Sequence, residues 1–196
     1  MADDNKGKSP PREKRRRQPR KATAVYLERA ALHYLDRYAS SAANLRRILM
    51  NRVMRSARAH GTDPQSGEQA IKAIIAKLTE KGLLDDRTYA RAKGRSYLRK
   101  GLSIRGIRAQ LTGKGIESEI IDQVIADLGD SPDDLDLESA FGYARKRRLG
   151  PFRPTDRRDE WRARDLAALG RRGFTYDTAK KVIDFDAGGH RDEQDF

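Results

Sequence analysis

The chain has no cysteine among its 196 residues, which excludes disulfides, thiolate nucleophiles and cysteine-held metal. Its three histidines, His33, His60 and His190, fall on separate segments. No HExxH, GxSxG or GxxxxGK[ST] pattern occurs, so the common signatures of zinc peptidases, serine hydrolases and nucleoside triphosphatases are missing. No apolar run approaches the roughly 20 residues that span a bilayer. No hydrophobic segment follows the basic residues of MADDNKGKSPPREKRRRQPRKA, as a secretory leader would require. The expectation is a cytoplasmic protein with no cofactor and no membrane contact. Apolar residues are also scarce, 37% against 36% charged, which predicts a thin core spread along an elongated body. What the chain does have is positive charge. Its formal net charge of +13 and pI of about 10.1 point to a polyanion or an acidic protein surface as partner.

Residues 1–22 hold nine basic and three acidic side chains, three prolines and almost nothing apolar. Such a composition cannot offset the entropy of ordering, so a disordered basic arm is expected. From Thr23 onward the apolar spacing is helical and strand alternation is absent. The first helix is predicted from Thr23 or Ala24 to about Tyr38, with Leu27, Ala31, Tyr34, Leu35 and Tyr38 on one face. The second, capped by Ser40 or Ser41, runs to about Ala59 with Leu45, Ile48, Leu49, Val53 and Met54 inward. HGTDPQSGE reads as a loop, and Glu68 to Lys81 as a third helix ended by Gly82. The pattern then restarts: Asp85 caps a helix through Arg99, Ser103 caps another, and a third covers about Glu117 to Leu128. After an acidic linker, GDSPDDLD, a third round follows, with one helix to about Arg148, a GPFRPT loop, a helix to Arg171 or Arg172, and a last one from about Thr175. Trp161 is expected to pack in this last unit.

Local sequence repeats support the threefold pattern. IKAIIAKL (Ile71 to Leu78) and IDQVIADL (Ile121 to Leu128) share the frame Ile-x-x-(Ile/Val)-Ile-Ala-x-Leu. The central Val-Ile returns at Val182-Ile183, and LTGKGI (Leu111 to Ile116) is echoed by LGRRGF (Leu169 to Phe174). The expected fold is all-α: three tandem three-helix repeats over 23–82, 83–129 and 130–186, forming an elongated, curved array. Residues 187–196 are expected to be an acidic flexible tail. A monomer is expected, because the repeats bury their faces against one another.

Charge is blocked along the chain. Residues 83–116 hold nine basic and two acidic side chains, 117–139 nine acidic and no basic ones, and 140–172 eleven basic and four acidic ones. Arg87, Arg91, Arg95 and Arg99 stand four apart and span about a third of a helix circumference. Like charges at that spacing repel by about a few tenths of a kcal/mol each, so helix stability does not select them. Two readings stay open: neutralisation by the 117–139 acidic block, or contact with an anionic partner. Lys100, Arg105, Arg108 and Lys114 extend the same basic surface. A second cluster, Arg145, Lys146, Arg147, Arg148, Arg153, Arg157 and Arg158, exceeds what a helix C-terminus needs and suits phosphate contact. The pair Asp85-Asp86 reads as an N-cap and a first-turn acid in preference to a metal-dependent nuclease centre. No catalytic residue and no metal ligand is assigned, and a non-enzyme is expected.

The run Leu78-x-x-x-Gly-Leu-Leu-Asp-Asp, the basic helix after it, IRGIRAQLTGKGI and the closing amphipathic helix resemble the RecX regulatory proteins of bacterial recombination. The resemblance covers about residues 24–186 and is strongest over 78–128. It implies a non-enzymatic modulator that binds RecA recombinase filaments on single-stranded DNA and suppresses their ATPase, strand exchange and co-protease activity, with DNA itself, single- or double-stranded, a further contact. A different class remains open beside it: a stand-alone DNA- or RNA-binding protein built from helix-turn-helix-like units. Nothing in the resemblance extends to the basic arm or the acidic C-terminus.

Overall fold

The computed structural model describes residues 18–129 and 131–185. Among them it has nine α-helices and no strand. They fall into three units of three. The first holds α1 (Ala24–Leu35), α2 (Ala42–His60) and α3 (Pro64–Glu80). The second holds α4 (Asp86–Arg99), α5 (Ile104–Thr112) and α6 (Ser118–Ala126). The third holds α7 (Pro132–Arg147), α8 (Arg158–Gly170) and α9 (Tyr176–Ile183). Each unit has its own core: Leu27, Leu45, Leu49 and Ile71 in the first, Ile107, Leu111, Ile121 and Val124 in the second, Ala140, Leu169, Phe174 and Val182 in the third. These are the residues that helical spacing puts on one face, and their removal from water drives each unit's closure.

Several boundaries differ from the sequence expectation. α3 starts at Pro64, four residues early, because Asp63 caps it by accepting from the backbone N–H groups of Gln65 and Ser66. Pro64 then occupies the first helical position, where its missing N–H costs nothing. The same pairing of a capping side chain with a following proline makes most of the acidic linker helical: Ser131 accepts from the Asp134 N–H and Pro132 opens α7. α1 stops at Leu35, leaving Tyr38 exposed, and Met54 lies outside the core on the rim of α2. GPFRPT contains a 3-10 turn at Gly150–Phe152, with another at Thr155–Arg157. Trp161 is half-buried outside the third core, where Arg153 and Arg164 each lie 4.7 Å from its ring centroid. The last residues assigned to the arm are pinned. The Ala22 N–H donates to Ser56 Oγ at 2.9 Å, and the Pro19 carbonyl meets His60 Nε2 at 2.6 Å. The rest of the arm, residues 1–17, and the tail from 186 onward lie outside the described residues.

The units are joined twice by one device. At the first junction, Ser41 caps α2, its hydroxyl donates to the Lys114 carbonyl at 2.6 Å, and the Ala42 N–H donates to Asp86 Oδ1 at 2.8 Å. At the second, Ser103 caps α5, its hydroxyl donates to the Arg172 carbonyl at 3.3 Å, and the Ile104 N–H donates to Asp136 Oδ1 at 2.6 Å. In both, the N-terminus of a unit's second helix is held by the next unit, through a first-helix aspartate and a loop carbonyl. The free N–H groups of a helix start need acceptors, and here the neighbour supplies one. Gly115 and Gly173 follow those carbonyls with φ of +72° and +95°. A Cβ on Gly115 would stand 2.3 Å from the Ala43 Cβ, and one on Gly173 2.4 Å from Ser103 Oγ. At these two positions both the backbone conformation and the close approach require glycine.

Candidate anionic-partner surface

Asp85 fixes the start of α4 by accepting from the Thr88 N–H at 3.0 Å and the Thr88 hydroxyl at 2.6 Å. Those hydrogen bonds hold its carboxyl below the ordinary carboxylate range. Asp86, beside it, serves α2 of the preceding unit, accepting from the Ala42 N–H. α4 buries Tyr89, Ala90 and Gly94, and this turns Arg87, Arg91, Arg95 and Arg99 outward, all four exposed.

The 117–139 acidic block neutralises only part of this basic surface. Arg91 Nε donates to Asp127 Oδ2 at 2.9 Å, and Arg108 Nη2 meets Asp122 Oδ1 at 2.6 Å. Both acids belong to the 117–139 block. These pairs are about half-exposed on each side, so each contributes roughly 0–1 kcal/mol. Among the described residues, Arg87, Arg95, Arg99 and Lys100 have no carboxylate within ion-pair distance. Lys93 turns its ammonium over the Tyr89 ring at 5.6 Å.

The C-terminal end of the ladder meets the second cluster. A cleft at the junction of α4 and α7 is lined by Arg99, Lys100 and Gly101 on one side and by Glu138, Tyr143 and Lys146 on the other. Tyr143 sits directly on the α4 terminus: a Cβ on Gly101, whose φ is +73°, would be 2.5 Å from the Tyr143 Cβ. The Arg172 guanidinium stacks 4.6 Å from the Tyr143 ring centroid. Burial pushes the Tyr143 phenol up, but the guanidiniums of Arg172 and Arg147 outweigh it and hold the phenol below its ordinary value. Arg105 approaches the same junction, donating from Nε to the Gly173 carbonyl at 3.1 Å. Residues far apart in sequence thus form one cationic cleft across a unit boundary. Arg172 and Tyr143 escaped the sequence reading; the echo of LTGKGI in LGRRGF was the signal that could have flagged Arg172.

The rest of the second cluster divides. Arg145, Lys146, Arg147 and Arg148 end α7, exposed, with Arg145 also 5.6 Å from the Phe152 ring centroid. Arg148 caps the helix at φ +53°, a non-glycine residue in the left-handed region. Arg153 is structural: its Nε and Nη2 grip Asp165 at 3.2 and 2.8 Å, and that carboxylate also accepts from the Gly150 N–H. Arg158 donates to the carbonyls of Arg153 and Pro151. Arg157 is exposed, 5.4 Å from the Trp161 centroid. Lys114 stands apart at the first junction, half-buried. Among the described residues no group of three or more His, Asp or Glu is placed to hold a metal ion, and no helix is long and apolar enough to cross a membrane.

Residues 85–125, the second unit with its arginine ladder, match the family model described as RecX, second three-helix domain. Among curated proteins, the regulatory protein RecX of Myxococcus xanthus is 44% identical over 169 residues, covering 86% of this chain and 89% of that protein. The regulatory protein RecX of Agrobacterium fabrum is 32% identical over 139 residues, covering 69% and 71%. The crystal structure of RecX from Lactobacillus salivarius superposes with a TM-score of 0.56 at 23% identity, covering 82% of this chain and 94% of that one. That last likeness is one of fold.

Proposed function

As the chain belongs to the RecX family of regulatory proteins, we propose that it regulates a RecA recombinase, binding the filament on single-stranded DNA and inhibiting its ATPase, strand exchange and co-protease activity. The observation that carries the reading is the cationic face that runs from Arg87, Arg95 and Arg99 through Lys100 to Lys146 and Arg147: Glu138 lines the same cleft, but among the described residues none of these six cations has a carboxylate within ion-pair distance. Its length suits a partner that presents phosphates or acids repeatedly, which a nucleoprotein filament does. Arg153 and Arg158 hold the α7–α8 connection and are not assigned to contact. The protein acts as a binder without catalytic machinery.

The test is the DNA-dependent ATPase of the cognate RecA with this protein titrated in from well below equimolar. Inhibition at substoichiometric amounts is the expected result and favours filament capping or propagated disassembly. Inhibition only when the DNA itself is saturated favours the stand-alone nucleic-acid binder. No effect from a folded sample overturns the proposal.

A further inference from the structure

The described chain leaves the third unit at a defined place. Arg162 grips Asp184 through two hydrogen bonds of 2.7 and 2.6 Å, which fixes the end of α9. Phe185 follows, its ring edge-on to Phe141 with centroids 5.2 Å apart. Phe141 lies on α7, one helical turn before Arg145, and Arg145 to Arg148 form the exposed basic end of that helix. None of those four cations has a carboxylate partner among the described residues. Residues 186–196 then read DAGGHRDEQDF, with Asp186, Asp192, Glu193 and Asp195 against a single Arg191. At about 3.3 Å per residue this segment reaches well beyond the roughly 10 Å from Phe141 to Arg148.

We propose that the acidic segment 186–196 docks on the basic end of α7 and competes there with the anionic partner. The segment carries net −3 and the helix end +4, counted from these residues. Tethering holds the segment near its target at an effective concentration on the order of millimolar. An exposed acidic pair is individually weak and salt-sensitive, so the contact is a filter: a dense polyanion displaces it, and an isolated acid does not. The contact is argued from geometry and charge alone; only its competitive consequence rests on the proposed partner-facing role of this surface.

Carbodiimide cross-linking of the full chain, read by peptide mass spectrometry on the monomer band, tests the contact. Lys146 joined to Asp186, Asp192, Glu193 or Asp195 is expected at low salt and lost near about 0.5 M salt. The consequence is tested by affinity for a fluorescently labelled oligo-dT. Both the chain ending at Phe185 and the full chain carrying D186N, D192N, E193Q and D195N should bind about three- to ten-fold more tightly at low salt, converging with wild type at high salt. No Lys146 cross-link together with equal affinities overturns the proposal. A cross-link without an affinity change, in a protein that Lys146→Ser and Arg147→Ser do weaken, overturns the competition. If those two substitutions leave oligo-dT affinity unchanged while the cross-link persists, docking stands and it is the partner-facing role of this surface that falls.

Discussion

Arg148 keeps a backbone that glycine would adopt without strain. The ends of other helices here are followed by glycine at positive φ, as at Gly61, Gly82 and Gly101; α7 ends on an arginine at φ +53° instead. Side chains in that region are disfavoured, so the charge is held against local preference. Arg148→Gly should raise stability by about 0.5–1 kcal/mol and weaken oligo-dT binding, a divergence that a denaturant titration and a binding curve would reveal together. Asp165 is the opposite case. It is buried and satisfied by Arg153 and the Gly150 N–H, so Asp165→Ala strands a guanidinium and an amide at once. The expected loss is about 3–5 kcal/mol, seen as early melting of the third unit. The sequence groups Arg153 with the phosphate-contacting residues because its partner lies twelve positions away on α8. Charge counting does not distinguish a guanidinium that is taken from one that is free.

α4 reads correctly from sequence in its cap and in the shared face of its arginines, because both are set by local spacing. Its neutralisation is legible only as one of two open readings, and which arginine the acidic block takes is not, because Asp127 lies 36 residues downstream of Arg91. The elements misjudged were helix starts: Asp63-Pro64 and Ser131-Pro132 are capping signals, but proline and polar composition make such stretches look like loops. The split within the ladder leads to a graded expectation. Arg95→Glu with Arg99→Glu should weaken oligo-dT binding at least tenfold and lower its salt slope by about two, with unchanged helicity by circular dichroism. Arg91→Glu should also lose stability, since it faces Asp127. An equal effect of all three on stability would contradict the assignment of Arg95 and Arg99 as unpaired. Gly101→Ala, which drives a methyl against Tyr143 from a left-handed backbone, should cost about 1–3 kcal/mol and open the cleft between α4 and α7.

The whole molecule depends on its junctions, and these were the least legible feature in advance. Ser41 and Ser103 are readable as caps; that each also reaches a carbonyl some 70 residues away is not. The clue is one of order and not of spacing, since serine, aspartate and glycine recur in the same order at 41, 86 and 115 and at 103, 136 and 173. Burial pushes the Asp136 carboxyl above its ordinary value, against the hydrogen bond from the Ile104 N–H. A folded-state value above the unfolded one means the folded chain binds the proton more readily. Its stabilising increment is complete below the unfolded value and is lost as pH rises through the folded one. Denaturant midpoints measured between about pH 3 and 7 should therefore favour wild type over Asp136→Asn most at the acidic end. The middle unit both inserts a helix start and receives one. The first unit has no acid in the first turn of α1, and α8 of the third begins after Arg157 without a side-chain cap. The array therefore has a plug at one end, a socket at the other, and a centre piece bearing both. A gene encoding that centre piece twice would lengthen the array by a unit that already carries both halves of the junction device.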